Sequence, residues 1–174
     1  MKALLLVLFL PLVALGQEIK PFDRLGRDNV TIRAQHKSGG NSADYSYRAS
    51  WGSYVRTVTS TKDIEVTVTQ QRKEKHPLKL EFFFVIKGGP SRYAKKAGIL
   101  DLPEGEGSAV FSTSSQQRQA RWVYLGFREK SGERIEGWLV RALKDDRIIG
   151  IAGSSPSLEE MATDPEKLKS LLID

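Results

Sequence analysis

Cysteine is absent from this 174-residue chain, and methionine and histidine occur only twice each. Without cysteine there is no disulfide, no thiolate nucleophile, no cysteine-held zinc and no thiol for a lipid anchor. His36 and His76 lie far apart in the sequence, one continuing a strand-like alternation and the other before Pro77, and both read as satisfied or solvated side chains. Also missing are a Gly-x-Ser-x-Gly nucleophile turn and a Gly-x-x-x-x-Gly-Lys phosphate loop. Gly105-Glu106-Gly107 carries an acid where an anion cradle needs positive potential. Paired carboxylates would suit glycoside hydrolysis. However, Glu104 and Glu106 fall in an expected loop, Asp145 and Asp146 in an expected turn, and Glu159 and Glu160 in an expected first helical turn. The expectation is therefore a chain that is not an enzyme and holds no cofactor and no metal. An enzyme acting on surface glycans is the competing class.

Long apolar runs are equally scarce. Ala3 to Leu15 is the one candidate, and it falls short of the roughly 20 residues a bilayer span requires. Lys2 before it and Ala14-Leu15-Gly16 at its end read as a signal peptide over residues 1–16, cut before Gln17. The expected location is secreted, periplasmic or at the cell surface, with no stable membrane insertion after cleavage. An exported chain without disulfides must rely on its core, which favours a bacterial envelope domain over a small animal secreted module.

The net charge is +6. Its basic groups, Arg72, Lys73 and Lys75, then Lys95 and Lys96, then Arg118 and Arg121, are interleaved with acids. Such loops could attract an anionic glycan, a lipid surface or nucleic acid. A solvated surface that keeps the chain soluble is the preferred reading, and export argues against a nucleic-acid partner.

Period-two alternation runs from Asn29 to about Ala152. Val30, Ile32 and Ala34 open it, and Ser38-Gly39-Gly40-Asn41 is expected to end the first strand. Tyr45, Tyr47, Ala49 and Trp51 form the next set, with a bend at Gly52 before Tyr54 to Thr61. Ile64, Val66 and Val68 alternate with polar residues, and Leu78 to Ile86, apolar on both faces, should be a central strand. Lys87 to Gly107 reads as a long irregular loop, either functional or carrying some structure of its own. Strands resume at Ser108–Ser115, Arg121–Glu129, Arg134–Lys144 and Arg147–Ala152, with turns at Ser131-Gly132 and Asp145-Asp146. Pro156 and a capping-box spacing from Ser157 to Glu160 start a helix, and Asp164-Pro165 starts another carrying Leu168, Leu171 and Leu172. The fold class is thus all-β, a sandwich of seven or eight strands with short C-terminal helices. The domain reading is a sandwich over 17–153 and a helical tail over 154–174 packed on it.

Three stretches carry a resemblance: Asp63 to Thr69 followed by Leu78 to Ile86, then Ile99-Leu100-Asp101-Leu102-Pro103-Glu104-Gly105, then Gly137 to Leu143. Together they resemble bacterial immunoglobulin-like and fibronectin-type-III-like sandwiches. Arg147 to Glu159 is similar to the ending of uncharacterised secreted proteins of the Verrucomicrobia and Planctomycetes type. The resemblance implies an immunoglobulin-like fold and an exported location, with no established chemistry. Such sandwiches also form the heads of archaeal-type pilins, which implies an accessory role in a pilus-like or adhesive surface assembly. A filament subunit fits less well, because the apolar run precedes the expected cut and would be lost.

The candidate binding residues are Trp122, Tyr124 and Trp138. If Val123, Leu125 and Phe127 face the core, Trp122 and Tyr124 point outwards, and Trp138 follows them from the next strand while Ile135 and Leu139 face in. Exposed rings on a sheet make a platform for a sugar or a partner chain. The favoured alternative places Leu168, Leu171 and Leu172 of the tail over these rings as a lid. The functional expectation is a non-catalytic secreted or cell-surface protein whose partner is a protein or a surface glycan, with a carbohydrate-binding module as the runner-up.

Overall fold

The computed structural model describes residues 30–48, 52–71, 76–123 and 126–172. The expected signal peptide, and Tyr124 and Leu125, lie outside the described residues.

Seven strands and two short helices follow one another: β1 Val30–Arg48, β2 Ser53–Gln70, β3 Leu78–Gly88, β4 Ser91–Leu102, β5 Gly107–Trp122, β6 Phe127–Lys144, β7 Arg147–Gly153, α1 Pro156–Thr163 and α2 Pro165–Leu171. All strand pairings are antiparallel. The order is β1-β2-β5-β6-β3-β4, with β7 on the other side of β6 from β3. The fold is all-β and sandwich-like, because this sheet folds over on itself through β6. Phe127 to Gly132 of β6 pair with β5, whereas Glu133 to Leu143 pair with β3. One half of the sandwich is therefore β1, β2, β5 and the start of β6, and the other is β4, β3, the rest of β6 and β7.

Gly132 sits at the crossing with φ +95°, and a Cβ there would stand 2.4 Å from the Gln116 carbonyl oxygen. Ser131-Gly132 is accordingly a pivot inside β6 and not the expected hairpin turn. The hairpin turn lies earlier, where Gly126 has φ +62° between β5 and β6. Asp145-Asp146 is a turn as expected, both residues at positive φ (48° and 58°).

The two halves share one core. Ile64, Val66 and Val68 of β2 and Phe111 of β5 meet Leu80, Phe82 and Phe84 of β3 and Val140 of β6. Phe82 stacks on Phe111 at 4.5 Å and on Trp138 at 6.1 Å, and meets Phe84 edge-on at 4.9 Å. The β-branched residues of β2 suit a pleated ladder. On β3 both faces are buried from Leu80 to Ile86, as a central strand requires.

A second cluster lies on the opposite face of β3. Phe83, Val85, Ala94 and Leu139 are covered there by Leu158, Ala162 and Leu168 of the two helices. Asp164 caps α2 by accepting from the Glu166 and Lys167 amides, and Ser155 precedes α1 without a side-chain cap, in place of the expected Ser157 box. The tail is a cover for β3 and β6, because the face that carries Phe83, Val85 and Leu139 is the apolar one that its leucines can close.

Two further expectations are corrected. The first strand continues through Ser38 to Asn41, where a bulge at Lys37 absorbs the irregularity and a Cβ on Gly39 would lie 2.5 Å from the Thr61 carbonyl oxygen. Lys87 to Gly107 is mostly the edge strand β4, whose alternation is broken by a bulge that leaves Ala97 without a partner.

Candidate functional site

Trp122 and Trp138 do not share one platform. Trp138 faces the shared core against Phe82, while Leu139 faces the helices. The expected outward orientation is reversed because a bulge between Val85 and Ile86 shifts the β3–β6 register by one residue before Trp138. Trp122 ends β5 and pairs with Phe127 across the turn, their ring centroids 5.4 Å apart. Val123 and Phe127 are exposed at this end and do not face a core. The helical lid lies over β3 and β6, not over Trp122.

The structure assembles a different aromatic surface. β1, β2, β5 and the start of β6 run on past the point where β3 stops pairing with β6, at Glu133. The side of this overhang that continues the core-facing side is uncovered. On β2, Tyr54, Arg56 and Val58 carry the same parity as the buried Ile64, Val66 and Val68, and no bulge interrupts the β2–β5 register between them.

Register draws these side chains, exposed apart from half-buried Gln119, into two rows. Tyr47, Tyr54, Arg121 and Arg128 are cross-strand partners in one, and Tyr45, Arg56, Gln119 and Lys130 in the other. Paired residues share a face, and so do residues two apart along a strand. Between the rows runs a trough of about 1010 Å³ whose floor is the backbone of Ser46, Val55, Ala120 and Glu129. Side chains of that intervening row point to the opposite face, so Glu129 does not enter the trough, and neither does Asp44, the partner of Thr57.

The β1–β2 end of the trough is aromatic apart from Arg56, and the β5–β6 end is cationic. Tyr45 is 74% exposed, and Tyr47 and Tyr54 are 54% exposed each. The Tyr47 and Tyr54 rings pack at 4.6 Å and a tilt of 35°, and the Arg56 guanidinium lies 5.6 Å from the Tyr45 ring centroid. Arg56, Arg121, Arg128 and Lys130 are exposed, and none forms an ion pair among the described residues.

A smaller cavity of about 340 Å³ opens at the edge between the two halves, lined by His36, Lys62, Arg92, Glu136, Trp138 and Ser154. Two of its charges, Arg92 and Glu136, are already spent on each other. Arg92 holds Glu136 with Nε at 2.5 Å and Nη2 at 2.9 Å, which lowers the Glu136 carboxyl below its usual range. Beside it, burial and then the Glu133 carboxylate push the Tyr93 phenol up to about 12. On the helix-covered side, buried Glu81 accepts from Arg141 at 2.6 Å and from Lys96 at 3.1 Å. Burial alone would raise the Glu81 carboxyl, and the two cations outweigh it and hold it low.

Among the described residues no three His, Asp or Glu side chains are grouped to hold a metal, and no helix is long and apolar enough to cross a membrane. No protein-family model, curated protein or solved structure matches the chain.

Tyr45, Tyr47, Tyr54, Arg56, Arg128 and Lys130 are not among the binding residues that the sequence singles out. Each strand does show an i, i+2 repeat, Tyr45-x-Tyr47, Tyr54-x-Arg56 and Arg128-x-Lys130. What a linear reading lacks is the pairing register that lines these repeats up.

Proposed function

We propose that the chain is an exported, non-catalytic binding protein of the cell envelope, and that it binds through the trough on the overhang. One arrangement supports this reading: exposed tyrosines, and cations that form no ion pair among the described residues, gathered on one uncovered face in two rows set by strand register. Exposed aromatic rings gain no burial in the isolated domain, and large exposed apolar clusters mark contact surfaces. Tyrosine suits this role because it presents wide area at little conformational cost and keeps a polar tip. Location at the envelope is supported by Lys2, the apolar run after it and the small residues before Gln17.

The test immobilises the secreted protein and presents it with neutral polysaccharides, acidic polysaccharides and acidic peptides. At least one ligand should be retained and recovered at its original chain length. Tyr47→Ala/Tyr54→Ala should lose that ligand with an unchanged melting temperature. Undiminished retention by the double variant, or shortened ligand, would sink the reading.

A further inference from the structure

The division of the trough into two ends carries more than binding in general. Its aromatic end lies on β1 and β2, where Arg56 also stands, and its cationic end on β5 and β6. Adjacent strands stand about 4.8 Å apart, so the trough, which crosses all four, is about 14 Å long. One extended polymer chain lying along it passes from tyrosine rings at one end to cations at the other.

We propose that this polymer is an acidic polysaccharide, a chain of sugar rings bearing carboxylate or sulfate groups. The proposal rests on the binding reading above and names its ligand class. The apolar C–H face of a sugar ring stacks on an aromatic face, and the Tyr47 and Tyr54 rings, packed on each other at 4.6 Å, keep their outer faces for it. Arg121 and Arg128, neighbours across the β5–β6 ladder, then meet the acid groups. A planar guanidinium matches a carboxylate or sulfate with two parallel hydrogen bonds. Arg56, over the Tyr45 ring, carries positive charge into the aromatic end.

Charge complementarity decides against a neutral ligand. Arg56, Arg121, Arg128 and Lys130 face the trough without any acid among them, and their mutual repulsion is relieved by an anionic occupant. A bilayer surface is too flat to enter a trough between two side-chain rows. Single-stranded nucleic acid is less well matched, because the tilted Tyr47 and Tyr54 rings pack on each other and leave no slot between them for a base.

Isothermal titration of the secreted protein against alginate, dextran sulfate, dextran, polyglutamate and oligothymidylate tests the proposal. Alginate, dextran sulfate or both should bind at least about tenfold more tightly than dextran, and which of the two binds separates carboxylate from sulfate recognition. Arg121→Ser/Arg128→Ser should weaken that binding about tenfold or more and flatten its salt dependence. Arg118→Ser, on the opposite face, should leave it unchanged. Equal affinity for dextran would overturn the acidic class while leaving the binding reading in place. Preference for polyglutamate or oligothymidylate would overturn the polysaccharide and leave the trough as a site for another macromolecule. Undiminished binding after both Tyr47→Ala/Tyr54→Ala and Arg121→Ser/Arg128→Ser would overturn the proposal and the reading beneath it.

Discussion

The Phe82 ring lies nearly parallel to the Phe111 ring, 4.5 Å away with 7° between the planes, and the two come from opposite halves of the sandwich. This stack joins β3 to β5 where no ladder hydrogen bonds run between them. Phe111→Ala should cost about 3 to 5 kcal/mol, because it leaves a cavity at the meeting of both halves. Urea unfolding of the variant beside the parent chain measures it, and a loss under about 1 kcal/mol would mean the halves close around the gap.

Gly132 and Gly89 offer a matched comparison. Both have positive φ, but a Cβ on Gly89 meets nothing within 4 Å, whereas one on Gly132 meets the Gln116 carbonyl oxygen at 2.4 Å. Gly89→Ala should cost only the left-handed backbone penalty of about 1 to 2 kcal/mol. Gly132→Ala should cost clearly more, since β5 or β6 must shift. Equal melting temperatures for the two variants would contradict the pivot.

Ending the chain after Gly153 removes both helices and uncovers Phe83, Val85 and Leu139. The truncated protein should melt lower and bind a hydrophobic dye. Leu168→Ala, a milder change at a residue 1% exposed, should cost about 2 to 5 kcal/mol. A truncated chain as stable as the whole, with no dye binding, would show the tail to be dispensable.

Glu81 gives the fold a defined acid sensitivity. Arg141 and Lys96 hold its carboxyl below the ordinary value of 4.5 in the folded state. A depressed folded value means that the stabilisation is present above the unfolded value and is lost as pH falls through the folded one. Stability should therefore decline below about pH 4.5, as the unfolded chain takes up the proton first. Glu81→Gln strands buried Arg141, so it should cost about 3 to 5 kcal/mol near neutral pH and flatten the acid limb of the stability profile. Parallel acid limbs in variant and parent would remove Glu81 from the account.

Strands with clean alternation are legible in the sequence alone: β2 through Ile64, Val66 and Val68, β3 through its doubly apolar run, and β7 with the Asp145-Asp146 turn before it. Bulges hid the rest. At Ala97 and before Trp138 one extra residue reverses the parity, so β4 reads as a loop and Trp138 reads as outward. Gly132 and Gly39-Gly40 carry residues typical of turns, yet they serve close approach inside long strands. The trough escaped for a different reason. Its rows join side chains far apart in the chain, Tyr47 to Tyr54 to Arg121 to Arg128, and long-range register is not written in any local window.

β1, β2, β5 and β6 all run from the overhang into the sandwich, and among them β6 is the strand that also pairs with the opposite half. The share of any tension at the tip that β6 carries runs down Phe127 to Gly132 and enters the sandwich between β3 and β7. There it loads two ladders along their length, so many hydrogen bonds resist together and do not unzip one at a time. A load placed on the overhang is thus met by ladder hydrogen bonds acting together before the shared core is opened.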